Sequence, residues 1–129
     1  MGELALREEV FRVVGAALPV HNHLGAGFLE SVYAEALAIE LKALGIPFER
    51  EVPLRIAYRG QILEKRFTAD FIVAGELILE LKAIPAITAS ERAQLLNYLR
   101  ASGLMVGILF NFGTHPKMEW ERLVHKAPE

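Results

Sequence analysis

The 129-residue sequence predicts an α/β fold, a mixed sheet flanked by helices. Three observations carry that prediction. Apolar residues near the N-terminus recur at helical spacing; three stretches between Phe48 and Ala83 alternate as strands do, joined by tight turns; and a capped helix then leads into a run from Met105 to Phe112 that is apolar but for Asn111. Helices, three strands, a helix and a strand, in that order, require antiparallel pairing within the hairpins. They permit a parallel, right-handed connection where the helix intervenes.

Each element has its own signal. Val10, Val13, Val14 and Leu18 place a helix from about Leu4 to Leu18, ended by Pro19. A connection containing Gly25 and Gly27 precedes a long helix from about Leu29 to Leu44, stopped by Gly45 and Pro47. Phe48 to Tyr58 and Gln61 to Val73 form a hairpin turned by Arg59-Gly60. Ala74-Gly75 turns the chain again, and Glu76 to Ala83 is the third strand. Thr88-Ala89-Ser90-Glu91 fits a capping box and opens a helix through about Ala101, with Gly103 as its C-terminal residue. Met105 to Phe112 is a buried strand, Met118 to Val124 an edge strand, and the last four residues are expected to fray.

Composition bounds the function. A chain of this length is expected to be a single domain, residues 1–129, with little room for a second recognition module. Its 53% hydrophobic content and positive mean hydropathy suggest apolar surface covered in a homodimer or by another protein partner. No apolar run approaches the roughly 20 residues that span a bilayer, and the acidic N-terminus is unlike a signal peptide, so a cytoplasmic protein is expected, without a membrane partner. Cysteine is absent, which removes disulfides, thiolate nucleophiles and cysteine zinc sites. A net charge of −2 argues against a protein that coats nucleic acid through a broad basic field. A nuclease remains compatible, because acids awaiting a cation lower the isoelectric point. Arg50, Arg55, Arg59, Lys65 and Arg66 form a local basic segment that could touch phosphates or simply be a solvated strand face.

The chemistry centres on Asp70 and on Glu80-Leu81-Lys82, ten residues further on. Alternation puts Glu80 and Lys82 on one face of the third strand, about 6–7 Å apart, while Leu77, Leu79 and Leu81 occupy the other. Two carboxylates on paired strands can hold a divalent cation through hard oxygens, with the backbone carbonyl of Leu81 as a further donor, which favours Mg²⁺ or Mn²⁺. Such a cation lowers the pKa of bound water and neutralises a phosphodiester, and Lys82 is placed to orient the water. The triplet alone is equally the mark of an amphipathic strand with a solvated Glu/Lys face.

Other residues could complete the constellation. Gln94 and Tyr98 share a helix face beside Leu95 and Leu99 and are suited to phosphate or base contacts, or to a packed boundary. Glu30 and Tyr33 share a face of the earlier helix. Glu30 could join a metal shell, or sit solvated near the helix start where the dipole favours it. His21 and His23 could offer nitrogen ligands, but a cap or a backbone hydrogen bond for His21 is the simpler expectation. Ser31 and Ser90 lack a partner base, which leaves no support for a serine hydrolase.

Gly27-Phe28-Leu29-Glu30-Ser31-Val32-Tyr33, followed by Asp70, Glu80-Leu81-Lys82 and Gln94-Leu95-Leu96-Asn97-Tyr98, resembles the GxxExxY protein family over about Val20 to Val124. That family is placed by similarity in the PD-(D/E)XK nuclease superfamily, whose αβββαβ core has the element order read above. The resemblance implies that Asp70 and Glu80 are metal ligands, Lys82 the catalytic lysine and Glu30 an additional helix-borne acid. It also implies that Gln94 and Tyr98 match the QxxxY element of RecB-type and CRISPR-adaptation nucleases. Those relatives often carry a histidine on the early helix, where this chain offers Glu30.

The resulting expectation is a divalent-metal-dependent nuclease acting on nucleic acid, DNA in the first instance, through a metal-activated water. Asp70, Glu80, Lys82 and Glu30 would be catalytic; Asp70, Glu80, Leu81 and Glu30 would hold the metal; Gln94, Tyr98 and Tyr33 would meet the substrate. The alternative is a noncatalytic nucleic-acid-binding or protein-assembly module on a nuclease fold. A hydrolase of free nucleotides lacks a phosphate-cradling loop to support it.

Overall fold

The computed structural model describes residues 6–126. Among these the elements run α1 (Arg7–Leu24), α2 (Glu30–Ala43), β1 (Phe48–Tyr58), β2 (Gln61–Val73), β3 (Leu77–Lys82), α3 (Ala89–Ser102), β4 (Val106–Asn111) and β5 (Glu119–Val124). The expected helix start at Leu4 and the fraying beyond Lys126 lie outside the described residues.

The strands form one mixed sheet in the order β1-β2-β3-β4-β5. β1, β2 and β3 pair antiparallel, β3 and β4 pair parallel across the α3 connection, and β5 closes antiparallel on β4. The α/β class and the mixed pairing therefore stand as the sequence predicts. α1 and α2 pack on one face, where Val13, Ala17, Leu37 and Leu41 meet Leu77, Leu79, Leu81 and Phe110. α3 covers the other, where Leu95, Tyr98 and Leu99 meet Ile78 and Leu109. Helices on both faces leave the interior strand β4 buried along its whole length, as its apolar run from Val106 to Phe110 requires.

One boundary departs from expectation. α1 does not stop at Leu18 but continues through Pro19 to Leu24. Proline lacks the N–H that would reach the Gly15 carbonyl, which removes one helical hydrogen bond. The buried stripe nevertheless continues from Val13, Ala16 and Ala17 to Val20 and His21, beyond the proline. That packing holds the turn which an isolated helix would lose.

The turns follow the residues that suit them. Arg59 and Gly60 both have positive φ, 50° and 77°, the conformation that matches the twist of a two-residue hairpin. Ala74 and Gly75 repeat it, closed by the Glu76 N–H donating to the Val73 carbonyl at 3.0 Å. At α3, Thr88 and Glu91 form the expected capping box, and Gly103 ends the helix with φ 76°.

The end of β3 is held by a buried polar knot. Asn111 is fully buried; its Oδ1 accepts from the N–H groups of Ile84 and Gly113, each at 3.0 Å, and its Nδ2 donates to Glu119 Oε1 at 3.2 Å. Gly113 lies so close to the backbone of Ile84 that a Cβ would collide with it. The Phe112 N–H donates to the Lys82 carbonyl at 2.8 Å, which carries this anchorage directly to Lys82.

Candidate active site at the mouth of the hairpin

The β2/β3 ladder ends at Phe71 and Leu79, and the next opposed position is Asp70 against Glu80. Here side chains replace the ladder. The Asp70 N–H donates to Glu80 Oε2 at 2.8 Å, and the Leu81 N–H donates to Asp70 Oδ2 at 2.8 Å. Each carboxylate thereby satisfies a backbone donor released where the strands separate, and each side chain is fixed by that bond. The second oxygen of each has no hydrogen-bond partner among the described residues. No side-chain oxygen there is both buried and unpaired, so neither is sealed from solvent, and Asp70 lines the cleft.

The alternation expected of β3 is present. Leu77, Leu79 and Leu81 enter the core beneath α1 and α2, Ile78 packs toward α3, and Lys82 turns to α3 as well. Glu80 is only 3% exposed, which excludes a solvated Glu/Lys face as the explanation of the triplet. Burial, followed by repulsion from Asp70, pushes the Glu80 carboxyl up to about 8. Asp70 is also raised, chiefly by burial, while its Leu81 hydrogen bond and the charge of Lys82 pull the other way.

Lys82 is held from α3. Its Nζ donates to Gln94 Oε1 at 2.7 Å, so Gln94, expected to meet the substrate, also holds the lysine. Tyr98, one turn further along, is buried with its ring 5.1 Å from that of Phe67. Burial and then the charges of Glu80 and Asp70 raise its phenol, which places Tyr98 within their electrostatic reach.

On the α2 side Asp70 and Leu81 border a cleft of about 200 Å³, lined also by Glu30, Ser31, Ala34, Arg50 and Glu51. Glu30 is the first residue of α2, and its charge contributes to raising both Asp70 and Glu80. Tyr33 does not reach the cleft as a substrate contact. It is fully buried, its hydroxyl donates to the Gly25 carbonyl at 2.6 Å and accepts from the Phe28 N–H at 3.2 Å, and its ring stacks on Phe112 at 4.6 Å. The assignment of Tyr33 to substrate is corrected accordingly: the residue pegs the loop that delivers Glu30.

Glu51 is the site residue the sequence did not reveal. Pairing continued from the Arg59-Gly60 turn, where Tyr58 faces Gln61 and Ala57 faces Ile62, would set Glu51 opposite Thr68. A bulge between Arg55 and Ala57 shifts the register, so that Val52 faces Ala69 and Arg50 faces Phe71, leaving Glu51 beside Asp70. Glu51 also has φ 51°, a strained conformation for a residue other than glycine, and it sits at the cleft.

As a metal site the donor set fits in part. Two hard carboxylates, crowded and raised by burial, carry the electrostatic deficit a divalent cation relieves, and Mg²⁺ characteristically takes one or two protein carboxylates and keeps several waters. Among the described residues, however, no group of three or more His, Cys, Asp or Glu side chains stands close enough to form a ready-made metal cage. Glu30 shares the cleft without completing one. His21 is not part of the site: it is 2% exposed, and its Nε2 lies 2.8 Å from the Thr114 carbonyl. His23 is exposed.

Comparison with known proteins gives the family and the fold. The model of the PD-(D/E)XK nuclease superfamily matches residues 7–123, and the chain belongs to that superfamily. Among solved structures, the crystal structure of SSO0001 is similar, with a TM-score of 0.58 and 20% sequence identity over 76% of this chain. This chain spans 50% of the length of that one, and at this identity the likeness concerns the fold alone. No match was found among curated proteins. Among the described residues, no helix is long and apolar enough to cross a membrane.

Proposed function

We propose that this protein is a divalent-metal-dependent nuclease that hydrolyses phosphodiester bonds, of DNA in the first instance, at the mouth of the β2/β3 hairpin. The observation that carries the reading is the directly opposed pair of half-buried Asp70 and buried Glu80, with the Lys82 amine held beside it by Gln94. Superfamily membership supports nuclease chemistry, and the GxxExxY motif narrows it further.

Asp70 and Glu80 would hold Mg²⁺ or Mn²⁺ through their open oxygens, with the Leu81 carbonyl as a further donor and Glu30 as an outer acid. When bound, the cation would supply Lewis acidity and a water of lowered pKa. Glu80 must first release the proton that burial favours. Lys82, its Nζ anchored to Gln94, would orient the attacking water and offset charge building on the phosphate oxygens. The backbone hydrogen bonds from Asp70 and Leu81 keep both carboxylates from swinging as the charge changes. Tyr98, behind the pair, excludes water from that side.

A protein partner or second copy is part of the proposal, because Phe11 is 80% exposed and Leu29 77% exposed. The rival reading, a noncatalytic module, draws on the backbone hydrogen bonds of Asp70 and Glu80, which are structural in themselves, and on the lack of a converged third ligand among the described residues.

Incubation of labelled single-stranded DNA, duplex DNA and RNA with Mg²⁺, Mn²⁺ or EDTA separates the two. Cleavage abolished by EDTA supports the nuclease and ranks its substrates. Retention of nucleic acid or a protein without cleavage under any metal condition supports the module.

A further inference from the structure

The β1/β2 hairpin is far longer than the sheet needs. β3 pairs with β2 only at Phe71, Ile72 and Val73, so most of the ribbon, from Val52 to Thr68, continues beyond that contact as a two-stranded arm. One side of the arm rests on α3, with Leu54 and Phe67 in that core and Phe67 against Tyr98. The alternate residues, Arg55, Arg66 and Thr68, are exposed on the other side. Asp70 follows in the same alternation and opens into the cleft with Arg50.

Arg55 lies directly opposite Arg66. Like charges in that relationship destabilise a ribbon. Pairing continued in the register of the turn would have opposed Arg55 to Glu64, an attractive pair; the bulge after Arg55 discards it and sets the two guanidiniums side by side. Among the described residues neither has a carboxylate partner, and the ion pair there is Arg92 with Glu121, elsewhere in the fold. The same register shift brings Glu51 beside Asp70, so the cleft and the arginine pair arise from one irregularity.

We infer that the arm is a phosphate-binding track, on which Arg55 and Arg66 together grip the sugar-phosphate backbone of the strand being cut. The inference deepens the nuclease reading and rests on it. Charge complementarity selects the occupant, since a polyanion turns a repulsive arginine pair into a bidentate clamp. Continuity with the cleft selects the strand. Arg66 is four residues from Asp70 along β2, about 13 Å at strand rise, which corresponds to roughly four phosphates at the axial spacing of one nucleic-acid strand.

The test measures fluorescence anisotropy of labelled DNA with Mg²⁺ present, in a Lys82→Ala background so that the ligand is not consumed, across a salt series. Adding Arg55→Ala and Arg66→Ala should weaken binding about tenfold or more and reduce the salt slope by roughly 1–2 units. The weakening should be absent for oligonucleotides that extend fewer than about four nucleotides past the cut. Arg55→Glu, which restores an attractive cross-strand pair with Arg66, should keep or raise the melting temperature while weakening binding at least as much. An acidic protein partner instead of DNA would show as arm-dependent capture of an acidic peptide with DNA binding unchanged, and would overturn the inference. So would equal affinity and salt slope with and without the arginines, or no binding of DNA by any form. Cleavage by the wild type is read separately: cleavage with arginine-independent binding sinks the track alone, whereas arginine-dependent binding with no cleavage sinks the nuclease reading and leaves the track.

Discussion

The Asp70 N–H donates to the carboxylate of Glu80 at 2.8 Å, while the Asp70 carboxylate accepts from the N–H of Leu81. The two acids are thus part of the backbone ladder at the point where it ends. Two carboxylates this close, one buried and one half-buried, repel each other when both are charged, and the hydrogen bonds hold them in place against that repulsion. Their fixed geometry has consequences that can be measured without any substrate.

The first concerns pH. Glu80 is raised from 4.5 to about 8 in the folded protein, and Asp70 is shifted in the same direction. Between these values the folded state holds a proton that the unfolded chain has released, so stability is highest at the acid end and declines as pH rises from about 4.5 to about 8. In EDTA the melting temperature should fall across that window. Glu80→Gln should flatten the decline and melt higher than wild type at pH 8. A profile in which Glu80→Gln and wild type run parallel would show that Glu80 is ionised throughout.

Metal binding should reverse the sign. A cation held by Asp70 and Glu80 displaces the Glu80 proton, so apparent affinity for Mn²⁺ should rise from pH 6 to pH 8 with release of up to about one proton per ion. Calorimetry in buffers of different ionisation enthalpy counts those protons. Stabilisation by Mn²⁺ in thermal melts should be larger at pH 8 than at pH 6 and lost in Glu80→Gln.

Gln94 acts through Lys82. Removing its amide with Gln94→Ala frees the lysine amine from the 2.7 Å hydrogen bond, and kcat should fall about tenfold or more with KM little changed. If Gln94 instead contacts the substrate directly, KM rises and kcat holds. Steady-state kinetics on a single defined oligonucleotide decides between them.

Tyr33→Phe should cost about 1–2 kcal/mol of stability, because it strips a hydrogen-bonding hydroxyl from the Gly25 carbonyl and the Phe28 N–H. The denaturant midpoint should shift with the slope unchanged. A substrate-contacting Tyr33 would leave the midpoint where it is and change only KM.

These residues also show what was legible in the sequence. The β3 alternation was, because Leu77, Leu79 and Leu81 against Glu80 and Lys82 is a period-two pattern with only one strand solution. So were the α3 cap at Thr88 and the turn at Arg59-Gly60, whose local chemistry decides their geometry. Pro19 misled, since its local preference to end a helix was overridden by packing at Val20 and His21 that sequence spacing shows only if the proline is ignored. Glu51 was hidden for a different reason. Its place beside Asp70 depends on a bulge several residues away, and no residue there announces a register shift. Gln94 and Tyr33 were found as polar residues on the right helices, but a side chain's partner is a tertiary fact: one holds a lysine, the other a loop.

The most direct measurement is single-turnover cleavage of the preferred nucleic acid at saturating Mn²⁺ by wild type, Asp70→Asn and Lys82→Ala, each checked for native circular dichroism. A metal-dependent nuclease centred on the hairpin mouth requires both variants to fold and to lose at least about a hundredfold in rate. Folded variants that cleave as fast as wild type, with the same metal dependence, would place the chemistry elsewhere.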